Sequence, residues 1–299
     1  MPIDRRSIFN IDWVLLGAVA ALLLLSVLTI RSATFESPRL SGLYVKQIYA
    51  IGLGLLAFLA VLVVDYRRFA DRSLWIYLVV AASLVAVLLV APRIAGTRRW
   101  FVVGGLGQFQ PAEFAKIAGA LLLAKVFSET RKESLGLGEI IFPGVAIAVL
   151  AALIAAEPDL GTAFCLVPLF LSVAFLAGLR LKTILGLGVA MVIVVSIGWQ
   201  FALPYQKERV YNFLDPSRDP QGAGWQKRQS QIAVGSGGLL GKGYQQGSQS
   251  QLGYLPARQT DFILSVLAEE FGFLGVMGVL ALYLLVLWRA LETAQLARD

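Results

Sequence analysis

The sequence predicts an all-α fold: a polytopic transmembrane bundle of about eight helices carrying one large extracytoplasmic loop. Two observations carry this. Apolar residues make up 58% of the 299 residues and charged residues only 15%, with a mean hydropathy of +0.73, against roughly 45–50% apolar and about 25% charged in soluble chains. The apolar residues also gather into runs long enough to cross ~30 Å of hydrocarbon. A single integral membrane domain over 1–299 is expected, with 204–261 as the loop within it.

The first run, 12–30, lacks a small-residue cleavage site after a short apolar core, so it reads as an anchor. Runs at 47–64 and 74–91 follow. The next, 112–127, is shorter; Pro111 suits its first turn, and Glu113 and Lys116 then share one helix face. Run 140–156 is stopped by Pro158, and Asp159 can cap the run at 162–179. Run 183–203 leads into the long loop, where the segment LPYQKERVYNFLDP suits a short interfacial helix. The last run is 262–288, and Thr260 or Asp261 is placed to cap it.

Lysine and arginine fall in short loops, so the net charge of +7 reads as a topology and anionic-lipid signal, with no nucleic-acid partner. The bias places the N-terminus in the cytoplasm, together with the 65–73 and 129–138 loops. Loop 204–261 then lies outside, and so do Arg98, Gln110, Glu113, Asp159 and Asp261. Chemistry is expected on that face. The single cysteine, Cys165, allows no intramolecular disulfide. There is no histidine, so acid–base work falls to Asp, Glu, Lys or Tyr.

Three outer-face features admit both a structural and a functional reading. Glu113 and Lys116 form either a surface ion pair or part of a cavity at the head of an unusually short helix. The stretch EPDLGTA at 157–163 is either a tight helical hairpin or a source of two carboxylates. Asp261 is either a helix cap or an ionisable group at the edge of the membrane, where such groups mark function. In the loop, cations such as Lys207, Lys242 and Arg258 alternate with aromatic rings such as Tyr211, Trp225 and Tyr244. That mixture suits sugars, phosphates or lipid headgroups. The glycines of GSGG at 235–238 and GKG at 241–243 allow close backbone approach to an anion but lack the spacing of a nucleotide-binding P-loop.

The stretches GTRRWF…FQPAEFAK at 97–116, EPDLGTA at 157–163 and the long run from Arg209 to Gly275 together resemble the SEDS family (shape, elongation, division and sporulation proteins). The resemblance covers essentially the whole chain. Within the family, GAGWQKRQSQIAVGSGGLLGKG followed by GSQSQLGYLP favours the elongation branch over the division branch. The resemblance implies a peptidoglycan glycosyltransferase of the bacterial cytoplasmic membrane that polymerises lipid II into glycan strands at the outer face of that membrane. It implies partners: a class B penicillin-binding protein, other elongation-complex membrane proteins and membrane lipids. It implies that Asp261 matches an essential aspartate in TDF, and that Glu113 and Lys116 match a functional pair. It also implies ten membrane helices, two of them beyond the eighth, after which this chain stops at Asp299.

Transfer of a sugar from a pyrophosphate needs a base for the acceptor hydroxyl and positive charge for the leaving group. Asp261 is the expected base, its basicity raised by desolvation at the membrane edge. Glu113 would position the acceptor or hold a divalent cation, magnesium or manganese. Lys116, Arg98, Lys242 and Arg258 are expected to receive the pyrophosphate, with Gln110 and Asp159 among the substrate-binding groups. A lipid flippase with the same residues as a headgroup site is the rival class. The absence of acidic or basic residues inside runs 12–30, 47–64 and 183–203 argues for one-sided chemistry instead.

Overall fold

The computed structural model describes residues 11–38, 40–94, 96–102, 104, 107–130, 135–201, 204–215, 219 and 222–297. The described chain packs as two compact units, one from 1–63 with 202–299 and the other from 64–201. Eight long helices occupy the eight apolar runs. Among the described residues, six helices are long and apolar enough to cross a membrane: Trp13–Ala33, Leu43–Val63, Ser73–Val90, the Leu137–Ala156 helix from Gly138 on, Leu181–Phe201 up to Gln200, and Ile263–Leu296.

The unit of 64–201 contains α3 (Tyr66–Asp71), α4 (Ser73–Val90), a two-stranded ribbon of β1 (Phe101–Val102) and β2 (Gln108–Phe109), α5 (Pro111–Glu129), α6 (Leu137–Ala156), α7 (Leu160–Leu176) and α8 (Leu181–Phe201). Its centre is α5. The expected run of 112–127 is a 19-residue helix, so it is not the unusually short element the sequence suggested. It buries Ala112, Ala115, Ala118 and Gly119. Small residues of this kind let helices approach closely where lipid removes most of the hydrophobic drive to associate. A Cβ at Gly119 would sit 3.0 Å from Ile147 of α6. The core continues through Leu84, Leu123, Leu150, Ile154 and Leu166, all fully buried. Asp159 caps α7 by accepting from the Thr162 N–H at 3.2 Å, as its position predicts. Among the described residues helix α8 buries none within the unit, as expected of a largely apolar helix solvated by lipid.

The other unit contains α1 (Trp13–Ala33), α2 (Leu43–Val63), α9 (Pro204–Leu214), α10 (Ala223–Ser236), α11 (Ser248–Gln251) and α12 (Ile263–Leu296). A helix forms where the sequence suggested one in the loop, as α9. Helices α1 and α12 run antiparallel. Asp12 pairs with Arg289 at 2.7 Å at one end, and the Ser32 hydroxyl donates to Glu270 at the other. Asp12 also caps α1 through the Leu15 N–H at 3.0 Å.

Helix α12 is not continuous. Gly272 (φ 66°, ψ −163°) interrupts it, and the loop fills the gap. The N–H groups of Lys242 and Gly243 donate to the carbonyls of Glu269 and Glu270, both at 3.0 Å. The N–H groups of Phe273 and Leu274 donate to Gly238 and Leu239 at 2.8 and 3.2 Å. Backbone freed by the break is thus paired by protein, as a membrane interior requires. Only glycine fits at the contact. Gly241 and Gly272 both have positive φ, and a Cβ on either would overlap backbone of the opposing segment.

Candidate active site

In the unit of 64–201, the polar groups collect where α4 and α6 end and α5 and α7 begin. The turn at 157–159 is held by Arg99. Its Nε donates to the Glu157 carbonyl at 2.8 Å and a terminal nitrogen donates to the Pro158 carbonyl. Its other terminal nitrogen lies 3.8 Å from an Asp159 carboxylate oxygen. The Gln110 side-chain amide donates to Asp159 at 3.3 Å and its oxygen accepts from the Trp100 indole at 3.2 Å. Gln110 and Asp159 are therefore brought together, 49 residues apart in sequence. Arg98 faces elsewhere: it donates to the carbonyls of Leu88 and Leu89, at 2.9 and 3.1 Å, and so closes the end of α4.

Glu113 and Lys116 form an ion pair at 2.8 Å on the open side of α5, with side chains 55% and 38% exposed. Both are accessible to a ligand. Among the described residues no group of three or more acidic, cysteine or histidine side chains gathers to hold a metal. The charged partner at Glu113 is a lysine, which does not fit a cation site within this unit.

In the other unit, Asp261 is exposed and stands in a turn closed by the Thr260 and Phe262 N–H groups on the Ala257 carbonyl, at 3.1 and 3.3 Å. Helix α12 starts two residues later with Phe262 at its cap and no side-chain capping bond. The capping reading of Thr260 and Asp261 is therefore corrected: the turn folds back on Ala257 and points neither oxygen at the helix N–H groups. The premise of desolvation is corrected too, since the side chain meets solvent. Asp261 has no hydrogen bond or ion pair among the described residues, which leaves its carboxylate open to a substrate hydroxyl.

Lys242 and Arg258 are engaged from within. The Lys242 ammonium contacts Glu269 at 2.7 Å and the Ser248 hydroxyl at 2.9 Å. Arg258 is 7% exposed and donates weakly to the Gln251 carbonyl at 3.4 Å. Burial lowers its guanidinium from the ordinary value, opposed by the carboxylate of Glu36. Sequence reasoning passed over Glu269. Fully buried, it also accepts from the N–H groups of Gln249 and Ser250, at 2.9 and 3.1 Å. The signal was present as two adjacent glutamates inside an apolar run, a costly placement that requires partners.

The sequence matches the FtsW/RodA/SpoVE family of cell cycle proteins over residues 6–299. The chain belongs to that family. It is 38% identical to the peptidoglycan glycosyltransferase MrdB of Escherichia coli K12, across 97% of this chain and 77% of MrdB. It shares its fold with a chain from a structure described as the structural coordination of polymerization and crosslinking by a peptidoglycan synthase complex. There the TM-score is 0.75 and the identity 35%, over 93% of this chain and 76% of that one. The crystal structure of the rod shape determining protein RodA from Thermus thermophilus aligns with a TM-score of 0.65 at 30% identity, over 93% and 73%. These SEDS relatives are polytopic helical membrane proteins, and the bundle described above is of that kind.

Proposed function

We propose that this chain is a peptidoglycan glycosyltransferase that polymerises lipid II at the outer face of the bacterial cytoplasmic membrane during elongation. Kinship supports the activity: the relative MrdB is named a peptidoglycan glycosyltransferase. The observation that carries the mechanism is Asp261, an exposed carboxylate with no partner among the described residues, at the head of the broken helix α12. The acceptor hydroxyl gives its proton to Asp261 as its oxygen attacks the anomeric carbon. The bond to the pyrophosphate breaks, and the undecaprenyl pyrophosphate leaves as an anion. Among the expected cations, Lys116 is the one whose ammonium is exposed and, among the described residues, paired only with another exposed group, Glu113. Glu113 holds Lys116 in position. Arg98, Lys242 and Arg258 hold backbone or buried charge, and their contribution to the substrate runs through the shape of their segments.

Proposed partners are a class B penicillin-binding protein and other elongation-complex membrane proteins. The neighbour drawn from a synthase complex supports this reading. Purified chain incubated with purified lipid II tests the activity: glycan ladders on a gel are expected, and recovery of unreacted lipid II alone contradicts it. Co-purification with a class B transpeptidase from the same membrane tests the partnership.

A further inference from the structure

Glu157 is the most unusual group in the unit of 64–201. It sits one residue beyond the end of α6 and is 0% exposed. Among the described residues neither carboxylate oxygen has a hydrogen-bond partner. Isolated buried carboxylates are costly and avoid ionisation. Burial pushes its carboxyl up to about 7, the negative charge of Asp159 adds to this, and Arg99 opposes it. The charged groups around the turn are few. Asp159 lies on the same turn, and Arg99 arrives from the segment before β1 with its donors on the Glu157 and Pro158 carbonyls. Arg98 is turned onto the end of α4. Helix α5 brings Glu113 and Lys116, which pair with each other in the open, and α4 brings no acidic or basic side chain.

We propose that Glu157 is a positioning residue: carrying a proton, it leaves Arg99 to Asp159 and so fixes the Asp159–Gln110 contact; ionised, it draws Arg99 to itself and loosens that contact. The physical reason is competition for one cation. Arg99 stands 3.8 Å from Asp159, a distance that a modest guanidinium shift would lengthen. A buried carboxylate with no donor among the described residues has Arg99, already on the carbonyls of its turn and acting on its charge, as a means of compensation. Loss of the proton to solvent is thus coupled to the geometry of the turn. The stability sign follows from a folded value raised from 4.5 to about 7. The native state binds the extra proton, so this contribution is complete below the unfolded value and is lost as pH rises through the folded one.

The inference rests on this end of the bundle serving lipid II polymerisation, but its test does not depend on activity alone. The infrared band of a protonated carboxyl, taken as wild type minus Glu157→Gln, is followed from about pH 5 to about pH 9. It should disappear with a midpoint near 7. The glutamine variant mimics the neutral acid. Its polymerisation rate should lack the alkaline decline of the wild type, which approaches about tenfold per pH unit above the midpoint. Its melting temperature should be flat over the range in which that of the wild type falls. Glu157→Ala, which removes the group, should not restore the wild-type profile. A carboxylate already ionised at the acid end, or identical rate profiles for wild type and Glu157→Gln, would overturn the proposal. If no form polymerises lipid II, the functional reading fails, while the infrared titration still decides where the proton is held.

Discussion

The ammonium group of Lys242 lies 2.7 Å from the carboxylate of Glu269, which is fully buried in the first segment of α12. This pair ties the glycine-rich loop to the broken helix. Ser248, Gln249 and Ser250 add further donors to the same carboxylate. Its role is to hold the loop that ends at Asp261.

Removing one member of a buried pair costs ~3–5 kcal/mol because the other charge is left uncompensated. Lys242→Met should fall at or below the lower end of that range, since the backbone donors to Glu269 remain. Glu269→Leu should cost less in the Lys242→Met background than alone. A double-mutant cycle on melting temperature in detergent checks this. Additive effects would show that the two residues do not act as a pair.

The contact between Gly241 and Gly272 makes a second prediction. Gly272→Ala adds a methyl where φ is positive and opposing backbone already fills the space. Strain of this kind costs on the order of 1–3 kcal/mol, before any cost of moving the loop. Gly278→Ala, on the same helix with nothing within reach of its Cβ, is the control and should be near neutral. Thermal unfolding of the two variants side by side separates them.

Topology is open to direct chemical test. The proposed orientation places the end of α5 inside and the loop outside. Single cysteines at the exposed positions Ser128 and Ser248, in a Cys165→Ala background, should label oppositely with an impermeant thiol reagent in intact cells, Ser248 reacting and Ser128 protected. The reverse pattern would put the proposed chemistry on the wrong face.

The eight apolar runs are the eight long helices to within a few residues at most ends, because lipid crossing imposes length and apolarity that composition reveals directly. The break at Gly272 was not legible. FGFLG stays apolar on both sides, so a hydropathy run passes over it, and only the pairing of Gly238–Gly243 with residues 269–274 shows the interruption. Helix α10 was missed because its glycines and glutamines carry no strong periodicity. Of the site, Gln110 and Asp159 meet, and Glu113 pairs with Lys116 as their spacing implied. Arg99 was passed over for Arg98 because adjacent arginines look alike in sequence, and only the turn of the backbone decides which reaches 157–159. Serine 134, also in the expected cytoplasmic loop, lies outside the described residues.

Asp261 is proposed as the base of a glycosyl transfer. Asp261→Asn keeps the shape of the side chain and loses its basicity. The turn on Ala257 is made by backbone, so the variant should fold, insert and melt like the wild type. Loss of a general base costs ~10²–10⁴-fold in rate. The decisive measurement is the amount of glycan made from purified lipid II by wild type and Asp261→Asn at equal concentration, with melting temperature and lipid II binding recorded on the same samples. Glycan ladders are expected from the wild type and none above background from a folded, lipid II-binding Asp261→Asn. Polymerisation by Asp261→Asn at a rate near that of the wild type would contradict it.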